Sequence, residues 1–275
     1  MSGSVTTRPR LRPPYAFSLA TLVMLASLAA GCAPPAPGTL ESLEGAARTG
    51  AHRRERRLQG LEARAVLRVD GRATGRLPAV SVTTRLAAPD RLRLQARWLL
   101  GVLLDAVVAS DTLTAWMPSE RLGLRLPGLA DSLRIREPAR FLGRAIVAGW
   151  QAPAEAWRGA RADSAGVSLD WREGNETWGL RLDTAGRPSE LSVARDSHRV
   201  TVRYSGWHGP GAAALPSRVE LRDGDGWLHV RMDLEDVHSV KKVKPAWFRL
   251  SLPDDFEPLA LDDLRRVLSL REKLR

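Results

Sequence analysis

From residue 60 onward the chain alternates between apolar and polar positions. Ala63, Ala65, Leu67 and Val69 take every second place, with Glu62, Arg64, Val66 and Arg68 between them. The same period returns in Val80, Val82, Thr84 and Leu86, in Leu92, Leu94, Ala96 and Trp98, and in Leu122, Leu124 and Leu126. A strand sends successive side chains to opposite faces. Each stretch therefore predicts a strand with one apolar face and one Arg-rich face, Arg93 included, turned to water. The alternation resumes with Val167, Leu169 and Trp171, with Trp178, Leu180 and Leu182, with Val200, Val202 and Tyr204, and with Leu228, Val230, Met232 and Leu234. Turn signals separate these runs: Asp70-Gly71, Pro89-Asp90, Gly174-Asn175, Gly186-Arg187-Pro188 and Asp223-Gly224-Asp225-Gly226. Such spacing predicts a mainly β fold, an open antiparallel β-barrel or half-barrel of about 11–13 strands covered by helices.

Three segments carry a helical period instead. Glu137-Pro138 opens the first, with Pro at a first helical position. Ala139, Leu142 and Ile146 follow on one face, with Phe141 and Ala145 beside them, so a central helix is expected over residues 137–150. A C-terminal helix is expected near residues 261–274, with Leu261, Leu264, Val267 and Leu268 on one side. Residues 39–58 form the third, ending in Arg53-Arg54-Glu55-Arg56-Arg57, which reads as a solvated basic face or a contact for anionic headgroups. A sheet with one apolar face must cover it, and the central helix is placed to lie across its mouth.

The N-terminal residues differ in kind. Arg8, Arg10 and Arg12 precede an apolar stretch from Tyr15 to Ala30, and no acid occurs before Glu41. Charge, apolar core and small residues make residues 1–31 a secretory signal by pattern. Ala29-Ala30-Gly31-Cys32 resembles the lipobox of bacterial lipoproteins, with Leu28 one place before its usual position. That resemblance implies acylation of Cys32 and anchoring to membrane lipid. Ala33 after the cysteine implies the outer membrane, facing the periplasm, under enterobacterial sorting rules. Residues 33–38 are a Pro-rich spacer. The expected organisation is a signal peptide over 1–31, an acylated spacer and basic helix over 32–58, and one β domain over 59–275.

The order of motifs carries a second resemblance. Leu99-Leu100-Gly101 closes one strand, Ser110-Asp111-Thr112 opens another, Leu215-Pro216-Ser217-Arg218 begins a late strand, and Phe248-Arg249-Leu250-Ser251-Leu252-Pro253 lies near the end. This order resembles the lipoprotein-localisation factors LolA and LolB and their lipoprotein relatives, over roughly residues 40–258. The resemblance implies an open β-barrel with a lipid-binding hollow and no enzymatic activity, and the lipobox favours the receptor-like branch. It implies that Leu92, Leu94, Trp98, Leu122 and Leu124 line the hollow, with Phe141, Leu142 and Ile146 on the lid. It implies a ligand that is an acyl chain or an acylated lipoprotein. Leu99 and Leu100 would stand where the receptor has a membrane-dipping loop, although a buried turn or a continuing core strand is the commoner source of such an apolar run. The family carrier uses a buried Arg bonded to lid backbone, a role that no particular Arg here claims by sequence. A barrel filled by its own side chains, acting as an envelope scaffold, is the alternative.

Composition narrows the rest. Formal net charge is +11, of which the three leader arginines account for three, leaving +8. One cysteine excludes an intrachain disulfide and any zinc site built on several thiolates. His52, His198, His208, His229 and His238 follow no metal-ligand spacing, and His229 is expected at the surface. Asp233, Glu235 and Asp236 are expected to be solvated rather than to hold a cation, so no metal or cofactor is expected. No nucleophile elbow or phosphate loop occurs. The positive charge is spread over many strands rather than one stripe, which disfavours nucleic acid and suits anionic lipid.

Overall fold

The computed structural model describes residues 39–71, 75–87, 90–98, 101–128, 137–196, 198–209, 211–224 and 228–258. The chain divides between Thr39 and Leu40, and the unit beginning at Leu40 is the one described below. Cys32, the whole signal segment and the expected C-terminal helix near 261–274 lie outside the described residues.

The expected alternation forms strands throughout. After helix α1 (Leu40–Arg57) come β1 (Leu61–Asp70), β2 (Val80–Ala87), β3 (Arg91–Trp98), β4 (Gly101–Ala109), β5 (Thr112–Met117) and β6 (Leu122–Pro127). Helices α2 (Pro138–Val147) and α3 (Ala154–Arg158) interrupt the run. It continues as β7 (Arg161–Asp163), β8 (Gly166–Glu173), β9 (Glu176–Leu182), β10 (Pro188–Arg195), β11 (His198–His208), β12 (Leu215–Asp223) and β13 (His229–Ser239), and β14 (Glu257–Pro258) ends it. All belong to one sheet in the order β14-β6-β5-β4-β3-β2-β1-β13-β12-β11-β10-β9-β8-β7. Two hairpin meanders are thus joined where β1 pairs with β13, antiparallel from Leu61↔Ser239 to Asp70↔His229. The sheet does not close: β7 ends one side and β14 the other. Among the described residues the strands number 14, and the last pair, β14 on β6, is parallel. β7, β14 and α3 are too short to leave a period in the sequence.

One main apolar core lies against one face of this sheet. Ala63, Val82, Leu92, Leu122, Leu169, Leu191 and Val202 are buried in it, as alternation requires. The other face is not uniformly wet. Chain beyond β13 crosses it as a strap, and Phe248 packs on Ala87 and Val107 with Val243, Trp247 and Leu250 alongside. Arg93, expected in water, lies beneath this strap. Its Nε donates to Asp105 Oδ1 (2.8 Å) and its Nη1 to the Trp247 carbonyl (2.7 Å). The hydrogen bond it donates to Asp105 raises the Arg93 pKa above its ordinary value. Gln95 also donates to Asp105, at 2.9 Å, and Arg85 sits over the Trp247 ring, 5.0 Å from its centroid. An aromatic residue landing on an arginine-bearing face gives those arginines buried partners, which alternation alone cannot foresee.

Asp233 departs from expectation in the same way. Arg68, Arg218 and Arg231 surround it, with Arg218 Nε donating at 2.7 Å and Arg231 Nε at 3.1 Å. Partial desolvation works to raise its pKa, but the bonds from Arg218 and Arg231 prevail and hold the carboxyl below its usual range. His229 is half-buried, with Nδ1 3.3 Å from Asp70 and Nε2 3.7 Å from Glu220.

Candidate functional site: the apolar face and its helical lid

α2 begins at Pro138, as the sequence predicts, and ends at Val147 rather than residue 150. Ala148 takes the left-handed conformation (φ 55°), and the Gly149 N–H turns back to the Arg144 carbonyl at 2.9 Å. Its buried face carries Ala139, Phe141, Ala145, Ile146 and Val147 and rests on the apolar face of the sheet. Leu142 is half-buried and packs against the same core. The structure therefore places Phe141, Leu142 and Ile146 on the lid helix against the core. Leu92 and Leu122 are buried in that core, Leu94 packs at its margin, and Leu124 is half-buried on β6. Trp98 is the last residue of β3 and pairs with Gly101, the first of β4. Leu99 and Leu100 connect those two strands and lie outside the described residues.

Beyond α2 the chain supplies aromatic rings. Phe141 meets Trp150 at 5.2 Å between centroids, Trp150 meets Trp178 at 6.0 Å, and Trp178 stacks on Trp171 at 5.8 Å. Trp150 Nε1 donates to the Tyr204 hydroxyl at 2.5 Å. Burial pushes the Tyr204 phenol well above its ordinary pKa, so it stays neutral. Two other indole N–H groups, on Trp157 and Trp178, are buried with no acceptor, and so is Glu176 Oε1. A cavity of about 10 Å³ lies among Ala47, Arg54, Trp150, Trp157, Leu180 and Leu182. The lid is shut down on the sheet.

What fastens the lid was not legible in the sequence. Arg54, in the middle of the basic run of α1, is 1% exposed. Its Nε donates to the Ala148 carbonyl, the C-cap of α2, at 2.9 Å. Its Nη1 donates to the Ala212 carbonyl in the 3₁₀ turn Gly211–Ala213. The guanidinium lies over Trp207, 5.8 Å from the ring centroid, with Arg187 at 5.6 Å from the same ring. Gly50, one turn earlier, lets α1 approach that 3₁₀ turn, because a Cβ there would collide with the Ala212 backbone. Desolvation lowers the Arg54 pKa to about 10. Glu55 next to it accepts from Arg144 Nε of α2 at 3.1 Å and from Gln151 at 3.1 Å. An inward Arg and an outward Glu on one helix thus tie α1 to the lid by polar bonds. Arg54 is a buried Arg bonded to the backbone of α2, a role that the sequence assigned to no particular residue.

Among the described residues no group of three or more His, Cys, Asp or Glu is placed to hold a metal, and no helix is long and apolar enough to cross a membrane. No protein-family model matches the chain, and no curated protein matches it in sequence. Solved structures do resemble it. A LolA superfamily protein from Nitrosomonas europaea is 12% identical, with 74% of this chain and 98% of that one covered and a TM-score of 0.48. A DUF1329 family protein from Desulfovibrio piger is 10% identical, covering 74% and 96%, with a TM-score of 0.49. A domain assigned to outer-membrane lipoprotein sorting in Vibrio parahaemolyticus is 8% identical, covering 74% and 97%, with a TM-score of 0.42. LolA-like proteins, the group the motif order resembles, are thus among those the chain is similar to in structure.

Proposed function

We propose that this protein is a non-enzymatic envelope lipoprotein, anchored in the outer membrane through acylated Cys32, that takes an acyl chain or the acyl group of a lipoprotein between α2 and the sheet. The observation that carries this reading is the character of the lid. Its inner face is apolar, while a guanidinium–carbonyl bond and a partly exposed ion pair hold it to α1 at its edge, away from the contact with the sheet. Apolar contact with the sheet is what an entering acyl chain can replace, since each methylene taken from water is worth roughly 0.8 kcal/mol. The unpaired indole N–H groups of Trp157 and Trp178 supply donors for an ester or amide carbonyl at the head of such a chain. Native mass spectrometry of the protein purified from its own envelope tests this: a population heavier by one or more acyl chains is expected. Uniformly ligand-free protein would contradict it.

A second reading has a specific observation in its favour. The cavity beneath α1 and α3 is small, and Phe141 and Ile146 already fill the space above the sheet. On that reading the barrel is self-filled and the protein is an assembly scaffold.

A further inference from the structure

The basic run Arg53-Arg54-Glu55-Arg56-Arg57 is taken apart by the fold. Arg54 turns inward and Glu55 is held by Arg144. Arg53, Arg56 and Arg57 remain exposed. The helix then runs into Gly60, whose N–H donates to the Arg57 carbonyl at 3.3 Å and whose carbonyl accepts the Val240 N–H at 2.9 Å. The approach is close: a Cβ on Gly60 would collide with the Val240 carbonyl and the Val243 side chain. This contact sets the loop after β13 beside the end of α1. The loop carries Lys241, Lys242 and Lys244, all exposed, and these are every lysine of the chain but Lys273. None of the six cations has a carboxylate partner among the described residues. Of the neighbouring carboxylates, Glu62 accepts from Arg85 at 2.6 Å, and Asp236 is exposed, 3.8 Å from the His238 ring. Asp236 and Glu235 are the exposed acids nearest in sequence to the three lysines, and neither pairs with them.

We infer that this end of the molecule is a docking surface for an anionic membrane, whose phosphate headgroups are met by Arg53, Arg56, Arg57, Lys241, Lys242 and Lys244. Two features favour lipid over an acidic protein. The charges sit on long, unpaired side chains from two segments, and lysine is a hydrated point charge on a flexible stem, suited to laterally mobile headgroups. A protein partner needs apolar anchors at the centre of its interface, and those nearby, Val243, Trp247 and Phe248, are already packed on the sheet. The inference rests on the anchoring part of the proposed function, which keeps the body near a bilayer.

The test uses the full acylated chain in vesicles of phosphatidylcholine alone or mixed with phosphatidylglycerol, with amide exchange measured over 240–244. Exchange several-fold slower with phosphatidylglycerol, restored by salt and abolished in the Lys241→Glu/Lys242→Glu/Lys244→Glu variant, is expected. Equal exchange in both compositions, slowing that survives the triple variant, or slowing only when an acidic protein is added would overturn it. A chain that fails to float with phosphatidylcholine vesicles contradicts the anchor instead. Flotation with phosphatidylglycerol vesicles then reads the basic surface directly.

Discussion

Arg54 sits where α1, the C-cap of α2 and the Gly211–Ala213 turn meet, and burial there carries a cost. Its pKa falls from the ordinary arginine value to about 10 because the charged form is desolvated. A depressed value means that this group's favourable contribution is complete only above the unfolded pKa and is lost as pH falls through the folded one. At neutral pH the buried charge is therefore a penalty, offset by its two carbonyl bonds. Arg54→Leu removes the penalty and orphans both carbonyls, and a net loss of about 2 kcal/mol is expected in denaturant unfolding. Faster amide exchange in α2 should accompany it; unchanged stability and exchange would mean that the bonds do not hold the lid. Asp233 runs the opposite way. Its folded carboxyl lies below the usual range, so its contribution is present above about pH 4 and disappears as pH falls through the folded value. Asp233→Asn should cost about 1 kcal/mol near neutrality and almost nothing in acid where the wild-type carboxyl is protonated. Urea titrations at the two pH values decide it, and an equal loss at both would contradict the ion cluster. Neither role was legible beforehand. An Arg within a basic run and an Asp among strand-face charges both read as solvated, because their partners come from elsewhere in the chain.

At the scale of elements, period carried nearly everything that has a period. The inward sets Ala63/Ala65, Val82/Leu86 and Val200/Val202 are buried as alternation predicts, and Pro138 opens α2 where Pro at a first helical position belongs. β7, β14 and α3 escaped because two to five residues hold no full period. The strap over β2–β4 escaped for another reason: Trp247 and Phe248 sit in a 3₁₀ turn without alternation, so nothing in the sequence says which face they cover. The strap makes neighbouring arginines of β3 unequal. Arg93→Ala leaves Asp105, 6% exposed, without its cation, and should cost about 3 kcal/mol. Arg91→Ala, at an exposed site 4.0 Å from Asp90, should stay within about 0.5 kcal/mol. Equal shifts in melting temperature for the two would remove the strap from the account.

At the scale of the whole molecule, a covered apolar sheet and a fastened lid are observed, and an anchor is proposed. The anchor lies outside the described residues and rests on the pattern before Cys32. Cys32→Ser should abolish labelling by palmitate and release the body from membranes, because spacer and basic residues alone bind reversibly. Labelled palmitate still entering the variant would contradict that. An acyl chain held between lid and sheet would show itself in the binding of a fluorescent fatty-acid probe. The protein should bind the probe and lose it to unlabelled lipid. Leu142→Trp, enlarging a half-buried lid residue, should weaken binding by about tenfold, or 1.4 kcal/mol, with a smaller change in stability. A well-folded protein that binds no probe, and that Leu142→Trp strongly destabilises, would contradict the acyl-binding account and leave a barrel filled by its own side chains.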